Sequence, residues 1–244
     1  MKHRIYLPAL SKDGPLAAGA RLDLDREQAH YLGRVLRLSA GADVGLFDGA
    51  GTEWQAELTE MDGRRAAVTL VGETRSEPAP TPLVLVQSWL KGGAMDTVVQ
   101  KSVELGATAI WLLDADRSNV RADAGRRANK LAHLERVARS AAEQCETLWL
   151  PEISPAGPLS DVLARPRPGR TLFFDLSSPP LTSEAPEPLT LLIGPEGGWS
   201  EPERTLARET EGVERVGLGP LTLRAETAPL AVLSSVRQSW GWKR

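Results

Sequence analysis

The run Leu189-Thr-Leu-Leu-Ile193 is short, almost wholly apolar, and stopped by Gly194-Pro195. A run of this kind reads as a strand buried on both faces, and such strands lie inside parallel sheets covered by helices on both sides. The residues that follow are equally specific. Gly194, Gly197 and Gly198 permit positive φ and let backbone amides approach a ligand closely, while Pro195 fixes one turn of the loop. Ser200 followed by Glu203 forms a capping box, with Pro202 in the first helical turn, where its missing N–H is not needed. Strand, glycine loop and helix start thus occupy residues 189–203. The free N–H groups of such a helix start attract acceptors and anions. Taken alone, the segment also suits a tight strand-to-helix connection that binds nothing.

A second segment has the same plan. Residues 216–231 contain a short apolar strand, a Gly219-Pro220 break, and then an apolar helix running to about Trp240. Arg224, Glu226 and Thr227 place a cation, an anion and a hydroxyl in an otherwise apolar stretch. They read either as a solvated, mutually paired loop or as functional groups at a strand end.

The rest of the chain falls around these loops. Residues 73–82 are polar, rich in proline and without periodicity, which suits an extended linker. Residues 1–72 hold alternating segments near Ala42 to Phe47, Thr52 to Leu58 and Arg65 to Val71, parted by Asp48-Gly49 and Asp62-Gly63 turns, hence a small antiparallel β domain. Residues 83–244 alternate strands (Leu83 to Trp89, Ala109 to Leu113, Thr171 to Asp175, Leu189 to Ile193, Val213 to Leu218) with helices (Ala94 to Leu105, ended by Gly106, and about Asp123 to Glu143). That order predicts an α/β domain with a mainly parallel sheet. Lys91-Gly92-Gly93 does not make the Gly-x-Gly-x-x-Gly of a dinucleotide site, and no phosphate-loop Gly-Lys-Ser or Gly-Lys-Thr is present.

Composition excludes several classes. The 244 residues, 41% of them hydrophobic, suffice for a sizeable core, and no run has the length of a membrane span. Cys145 is the single cysteine, and His3, His30 and His133 lack ligand spacing, so neither a disulfide nor a metal centre is expected. Ile5-Tyr6-Leu7-Pro8 after the first four residues is strand-like, unlike a signal sequence, and a cytoplasmic protein is expected. The net charge of −3 argues against indiscriminate nucleic-acid binding. Local basic faces exist nonetheless. Arg117, Arg121, Arg126, Arg127, Lys130, Arg136 and Arg139 crowd one stretch, and His30, Arg34 and Arg37 recur at helical spacing after a possible Asp25 N-cap. Each group is either a phosphate-binding stripe or a solvated helix face.

The two glycine loops, Ile193-Gly-Pro-Glu-Gly-Gly-Trp-Ser200 and Leu218-Gly-Pro-Leu-Thr-Leu-Arg-Ala-Glu-Thr-Ala228, resemble the C-terminal motifs of the bacterial 16S ribosomal RNA uracil-N3 methyltransferases, members of the SPOUT class. Lys91-Gly-Gly-Ala-Met95, Gln100-Lys-Ser-Val-Glu-Leu-Gly106, Arg117-Ser118 and Ala141-Ala-Glu-Gln-Cys145 are similar to the family's middle motifs, and His30-Tyr-Leu-Gly-Arg-Val-Leu-Arg37 to its N-terminal domain. The likeness spans nearly the whole chain. It departs at Trp199, where phenylalanine is more usual, and at Leu221, where the family often has arginine.

The resemblance implies an N-terminal PUA-like β-barrel, a C-terminal α/β domain ending in a trefoil knot, S-adenosyl-L-methionine as cofactor, and a homodimer acting on 16S rRNA within the small ribosomal subunit. Knots are rare, and periodicity alone does not suggest one. Carried onto this sequence, the cofactor pocket would comprise Leu192, Gly194, Pro195, Glu196, Gly197 and Gly198 on one wall and Leu218, Gly219, Leu223, Arg224, Thr227 and Ala228 on the other. Backbone groups would read the adenine edge, and Leu218 and Leu223 would cover its faces. Uracil N3–H is a weakly acidic imide, so methylation there requires loss of the proton and stabilisation of charge on O2 and O4. Arg224 in a dry site is the expected stabiliser, and Glu226 or Glu196 the group that orients it or takes the proton. RNA capture would fall to His30, Arg34, Arg37, Arg117, Arg121, Arg126 and Arg127. Other readings are a SPOUT enzyme for a ribose 2′-hydroxyl of tRNA or 23S rRNA, a non-catalytic RNA-binding or ribosome-assembly protein, and a small-molecule α/β enzyme.

Overall fold

The computed structural model describes residues 3–11, 16–62, 65–120, 124–176, 178–179 and 186–242. Arg121, named above as an RNA contact, Asp123, the expected helix start, and Gly63 of the second turn lie outside the described residues. The chain divides into two compact units, Met1–Ala79 with Glu143–Leu150, and Pro80–Ala142 with Pro151–Arg244.

The first unit is a five-stranded sheet built from β1 (Arg4–Tyr6), β2 (Arg21–Leu24), β3 (Asp43–Phe47), β4 (Thr52–Met61) and β5 (Ala66–Ser76), in the order β1-β3-β4-β5-β2. Only the β1–β3 pair is parallel. The alternation read from the sequence buries Val44, Leu46, Ala56, Leu58, Val68 and Leu70 on one face. Asp48 accepts from the amides of Ala50 and Thr52, which closes the β3–β4 turn at the left-handed Gly49 (φ 73°). Strand β5 runs to Ser76, four residues into the stretch read as linker, because β4 is long enough to pair with it up to Thr52↔Ser76.

Helix α1 (Arg26–His30) starts at Asp25, which forms a capping box with Gln28. It then widens into a π-turn over Tyr31–Val35, where the Leu36 amide bonds to the Tyr31 carbonyl, and Arg37 adopts φ 56°. The helical spacing of His30, Arg34 and Arg37 is therefore broken. All three are exposed, but Arg37 leaves the helix axis.

Arg4, one half of a buried ion pair, is among the residues that hold Glu143–Leu150 to this unit. The Arg4 Nε meets Glu53 Oε1 at 2.5 Å with both side chains almost fully buried, and the same guanidinium donates to the carbonyls of Glu143 (3.4 Å) and Thr147 (3.3 Å).

The second unit is a six-stranded, all-parallel sheet: β6 (Leu83–Ser88), β7 (Ala109–Leu113), β8 (Glu152–Gly157), β9 (Arg170–Phe174), β10 (Leu189–Ile193) and β11 (Val213–Val216), ordered β11-β9-β10-β6-β7-β8. Every residue of β6 and β10 is buried, as the apolar runs require. Helices α2 (Gly93–Glu104), α3 (Ala124–Cys145), α4 (Leu159–Ala164), α5 (Glu201–Glu209) and α6 (Thr227–Ser239) accompany the strands, with α6 against α2. Gly106 takes φ 79° just after α2, the left-handed end that its position predicts.

Strand β8 and helix α4 have no counterpart in the sequence reading. Glu152-Ile-Ser-Pro-Ala-Gly157 carries a proline and few apolar residues, and it is tolerated because β8 is an edge strand. From β6 the chain builds outward through β7 to β8, then crosses to the other side for β9, β10 and β11. The carboxyl ends of strands at such a reversal form the crevice where open α/β sheets bind ligands.

Candidate active site

The loop after β10 is held by its neighbours rather than by regular structure. Gly198 adopts φ 65° and donates to the Pro195 carbonyl at 2.9 Å, closing the turn that three glycines and a proline predict. Trp199 is the anchor. The residue is 2% exposed, and its ring stacks on Phe173 of β9 at 4.4 Å and donates from Nε1 to the Phe174 carbonyl at 2.8 Å. A Cβ at Gly194 would lie 3.0 Å from that ring, and one at Gly197 would lie 3.1 Å from Arg117, so a side chain at either position would press on its neighbour and glycine is favoured there.

The helix start behind the loop forms as its sequence dictates. Ser200 accepts from the Glu203 amide, Glu203 accepts from the Ser200 amide, and Pro202 sits in the first turn of α5. Asp116, after β7, adds a third partner. It meets the Ser200 hydroxyl at 2.5 Å, and its amide donates to Glu203 at 3.1 Å.

A cavity of about 760 Å³ opens at the carboxyl ends of β9 and β10. Gly194, Pro195, Glu196, Gly197 and Gly198 line one side, and Leu218, Leu223, Arg224, Glu226 and Ala228 line the other, so the two loops distant in sequence wall one space. Gly219, at φ 97°, shapes the second loop without lining the cavity. Thr227 begins α6, with its amide on the Arg224 carbonyl. Leu192 is not a wall residue. It is fully buried among Val84, Val86 and Phe173, because successive strand residues face opposite sides and it is Ile193, at the strand end, that meets the cavity.

The charges in the cavity fall into two sets. Arg224 has 86% of its side chain exposed, with Nη1 3.9 Å from Glu226 Oε1. That corrects the expectation of a dry arginine: in the single chain it stands on the rim, where the loop before α6 leaves it open to water. Asp175, by contrast, has a side chain only 5% exposed and receives Arg204 Nε at 3.3 Å and Arg215 Nη2 at 2.9 Å. Burial pushes its carboxyl up, but the hydrogen bonds from Arg204 and Arg215 outweigh it and hold the group below the ordinary aspartate range. Asp175 and Arg204 line the cavity together with Phe174, Leu176, Trp199, Leu221 and Thr222, none of which was expected to form its wall. Asp175 and Arg204 are 29 residues apart, so no local motif marks them.

The basic stretch divides likewise. Arg117 is exposed and donates to the Gly197 carbonyl at 3.4 Å, which ties it to the outer side of the cradle. Arg126 is exposed on α3. Arg127 is instead half-buried against Asp114 at 2.6 Å, and Lys130 donates to the Leu90 carbonyl and lies 5.0 Å from the Trp89 ring centre. Burial drives the Lys130 ammonium pKa down, against a smaller opposing pull from Asp96. One face of α3 therefore serves packing. Among the described residues no group of His, Cys, Asp and Glu is placed to hold a metal, and no helix is long and apolar enough to cross a membrane.

Comparison with known proteins fits this architecture. The family model for an RNA methyltransferase domain matches residues 77–237, and that for an RNA methyltransferase PUA domain matches residues 24–71. The chain belongs to this RNA methyltransferase family. It is 34% identical over 229 residues to the ribosomal RNA small subunit methyltransferase E of Synechocystis sp., covering 89% of this chain and 73% of that protein. It is 29% identical to the Bacillus subtilis protein of the same name, over 86% and 87% of the two chains. Among solved structures, a Legionella pneumophila protein in complex with bound SAM superposes with TM-score 0.90 at 29% identity. A ribosomal RNA small subunit methyltransferase E from Neisseria gonorrhoeae bound to S-adenosyl methionine does so with TM-score 0.85 at 32% identity. Each covers 98% of both chains. The N-terminal unit is thus PUA-like and the C-terminal one a SPOUT-type α/β domain.

Proposed function

We propose that this protein transfers a methyl group from S-adenosylmethionine to N3 of a uridine in the 16S rRNA of the small ribosomal subunit. The observation that carries the reading is the cavity itself, walled by two glycine-proline loops at the carboxyl ends of parallel strands. Its described lining holds Asp175, Glu196 and Glu226 against Arg204 and Arg224, three carboxylates and two guanidiniums, which leaves one negative charge. That balance suits S-adenosylmethionine, whose ammonium, sulfonium and carboxylate sum to one positive charge, and disfavours a polyphosphate nucleotide. Apolar Leu218, Leu223 and Ala228 suit the faces of an adenine.

The cofactor supplies an electrophilic methyl on sulfonium. The chain has three tasks: removing the N3 proton, stabilising the charge left on O2 and O4, and excluding water. Arg224 presents a planar fork of donors matched to two neighbouring oxygens. Glu226, 3.9 Å from it, orients the fork or takes the proton, with Glu196 across the cavity as the other candidate. Substrate RNA closing over the rim dries the Arg224 guanidinium and strengthens its hold on the developing charge. Arg117 beside the cradle and Arg126 on α3 meet phosphates, and His30, Arg34 and Arg37 extend that contact on the PUA-like unit.

A homodimer in the cytoplasm belongs to the same reading. Leu176 and Leu221 at the cavity are 60% and 72% exposed, apolar surface that a second copy would cover. So does the trefoil knot: β11 lies at the sheet edge beyond β9, yet the chain after it returns to wall the cavity of β10. Mass spectrometry of 16S rRNA from a strain lacking the gene tests the activity. Loss of a single N3-methyluridine, restored by the wild-type gene, is expected. Loss of a ribose 2′-O-methyl group, or no change, overturns the assignment.

A further inference from the structure

The cavity contains a charged end that the proposed chemistry at Arg224 does not use. Arg204 leaves the first turn of α5, lines the cavity, and keeps 27% of its side chain accessible. Its Nη2 lies 3.9 Å from the point a Cβ would occupy on Gly198, so the guanidinium sits against the glycine cradle. Asp175 at the end of β9 grips it through Nε and Nη2 at 3.3 to 3.4 Å. Arg215 of β11 holds the same carboxylate from another side at 2.9 Å. Two guanidiniums on one buried carboxylate leave a surplus positive charge at this end. The pairing fixes Arg204 by one edge and leaves Nη1 on the other, 3.9 Å from Glu201, whose own side chain is 72% exposed.

We propose that Arg204 is the carboxylate-binding residue of the cavity, receiving the amino-acid end of S-adenosylmethionine, and that Asp175 positions it. This rests on the cofactor reading above. The cavity's cations number two among its described lining residues, and Arg224 on the rim is assigned to the reacting base, so the carboxylate falls to Arg204. A guanidinium already held by a buried acid has lost its rotamer freedom before the ligand arrives, and its remaining donors match a carboxylate.

Three ligands separate the possibilities in calorimetry on the full-length protein: S-adenosylmethionine, S-adenosylhomocysteine, and 5′-methylthioadenosine, which lacks the amino-acid end. Arg204→Met should weaken the first two by roughly ten- to a hundredfold and leave methylthioadenosine unchanged. Arg204→Lys should restore part of the loss, and Asp175→Asn should weaken the same two ligands by a smaller factor. Equal weakening of all three ligands, or of none, by Arg204→Met overturns the inference. Wild-type protein that binds none of them would refute the cofactor reading itself, a separate outcome. Unchanged methylthioadenosine affinity also shows that the variant is folded.

Discussion

Arg224 and Trp199 sit on the same cavity and fail in different ways when changed. Arg224 is exposed and its ion pair with Glu226 is long, so Arg224→Ala should leave folding and S-adenosylhomocysteine affinity near wild type while lowering the methylation rate by about a hundredfold or more, read in single-turnover assays. Trp199 is buried and stacked, and its loss should be felt in folding. Trp199→Ala should cost about 3 to 5 kcal/mol in denaturant titrations, and Trp199→Phe, which keeps the stacking but drops the bond to Phe174, about 1 to 2 kcal/mol. Asp175 gives a pH signature. Its folded-state pKa is below the unfolded value, so its stabilisation is present above the ordinary aspartate range and fades as the pH falls through the lower folded value. Asp175→Asn should therefore be less stable than wild type at neutral pH, with the difference shrinking below about pH 4. At this scale the sequence shows the glycines, because strain and close approach demand them. It does not show that Ile193 rather than Leu192 meets the cavity, since both are apolar and only the pleat chooses between them.

At the scale of elements, α5 and α3 carry separable predictions. Ser200→Ala removes the cap of α5 and a partner of Asp116, and should destabilise the protein by about 1 to 2 kcal/mol in thermal unfolding. On α3, the exposed Arg126 is tested by Arg126→Glu, which should weaken RNA binding and reduce its salt slope by about one. Arg127→Glu should instead lower stability, because it places a like charge beside Asp114. That contrast explains what a charge run conceals: residues one position apart on a helix face different surroundings, and composition counts them alike. Elements with strong periodicity or both-face burial, such as β6, β10 and α2, were legible. Strand β8 was not, because an edge strand tolerates Pro155 and needs little apolar content, and the π-turn after α1 has no residue code that separates it from helix.

At the scale of the whole chain, β5 extends as far as Ser76 into the proline-rich stretch read as a linker, and the first compact unit runs on to Ala79 before the second begins at Pro80. The return of Glu143–Leu150 to the first unit has no sequence signal, since it rests on contacts far apart in sequence: a backbone bridge of Trp149 to Ala50 and bonds from Arg4, Tyr6 and Arg75. Removing Glu53 would leave Arg4 buried beside Arg75 without its main partner, so Glu53→Ala should cost about 3 to 5 kcal/mol and release the PUA-like unit to early proteolysis. The cavity is likewise a product of topology, because β9, β10 and the loop after β11 meet only through the crossover that reverses the sheet. Its use is tested most directly by incubating the protein with small ribosomal subunits lacking the modification and S-adenosylmethionine labelled in the methyl group, then mapping the label. One labelled uridine in 16S rRNA, methylated at N3, is the predicted result. Label on a ribose hydroxyl, or none despite cofactor binding, would contradict it.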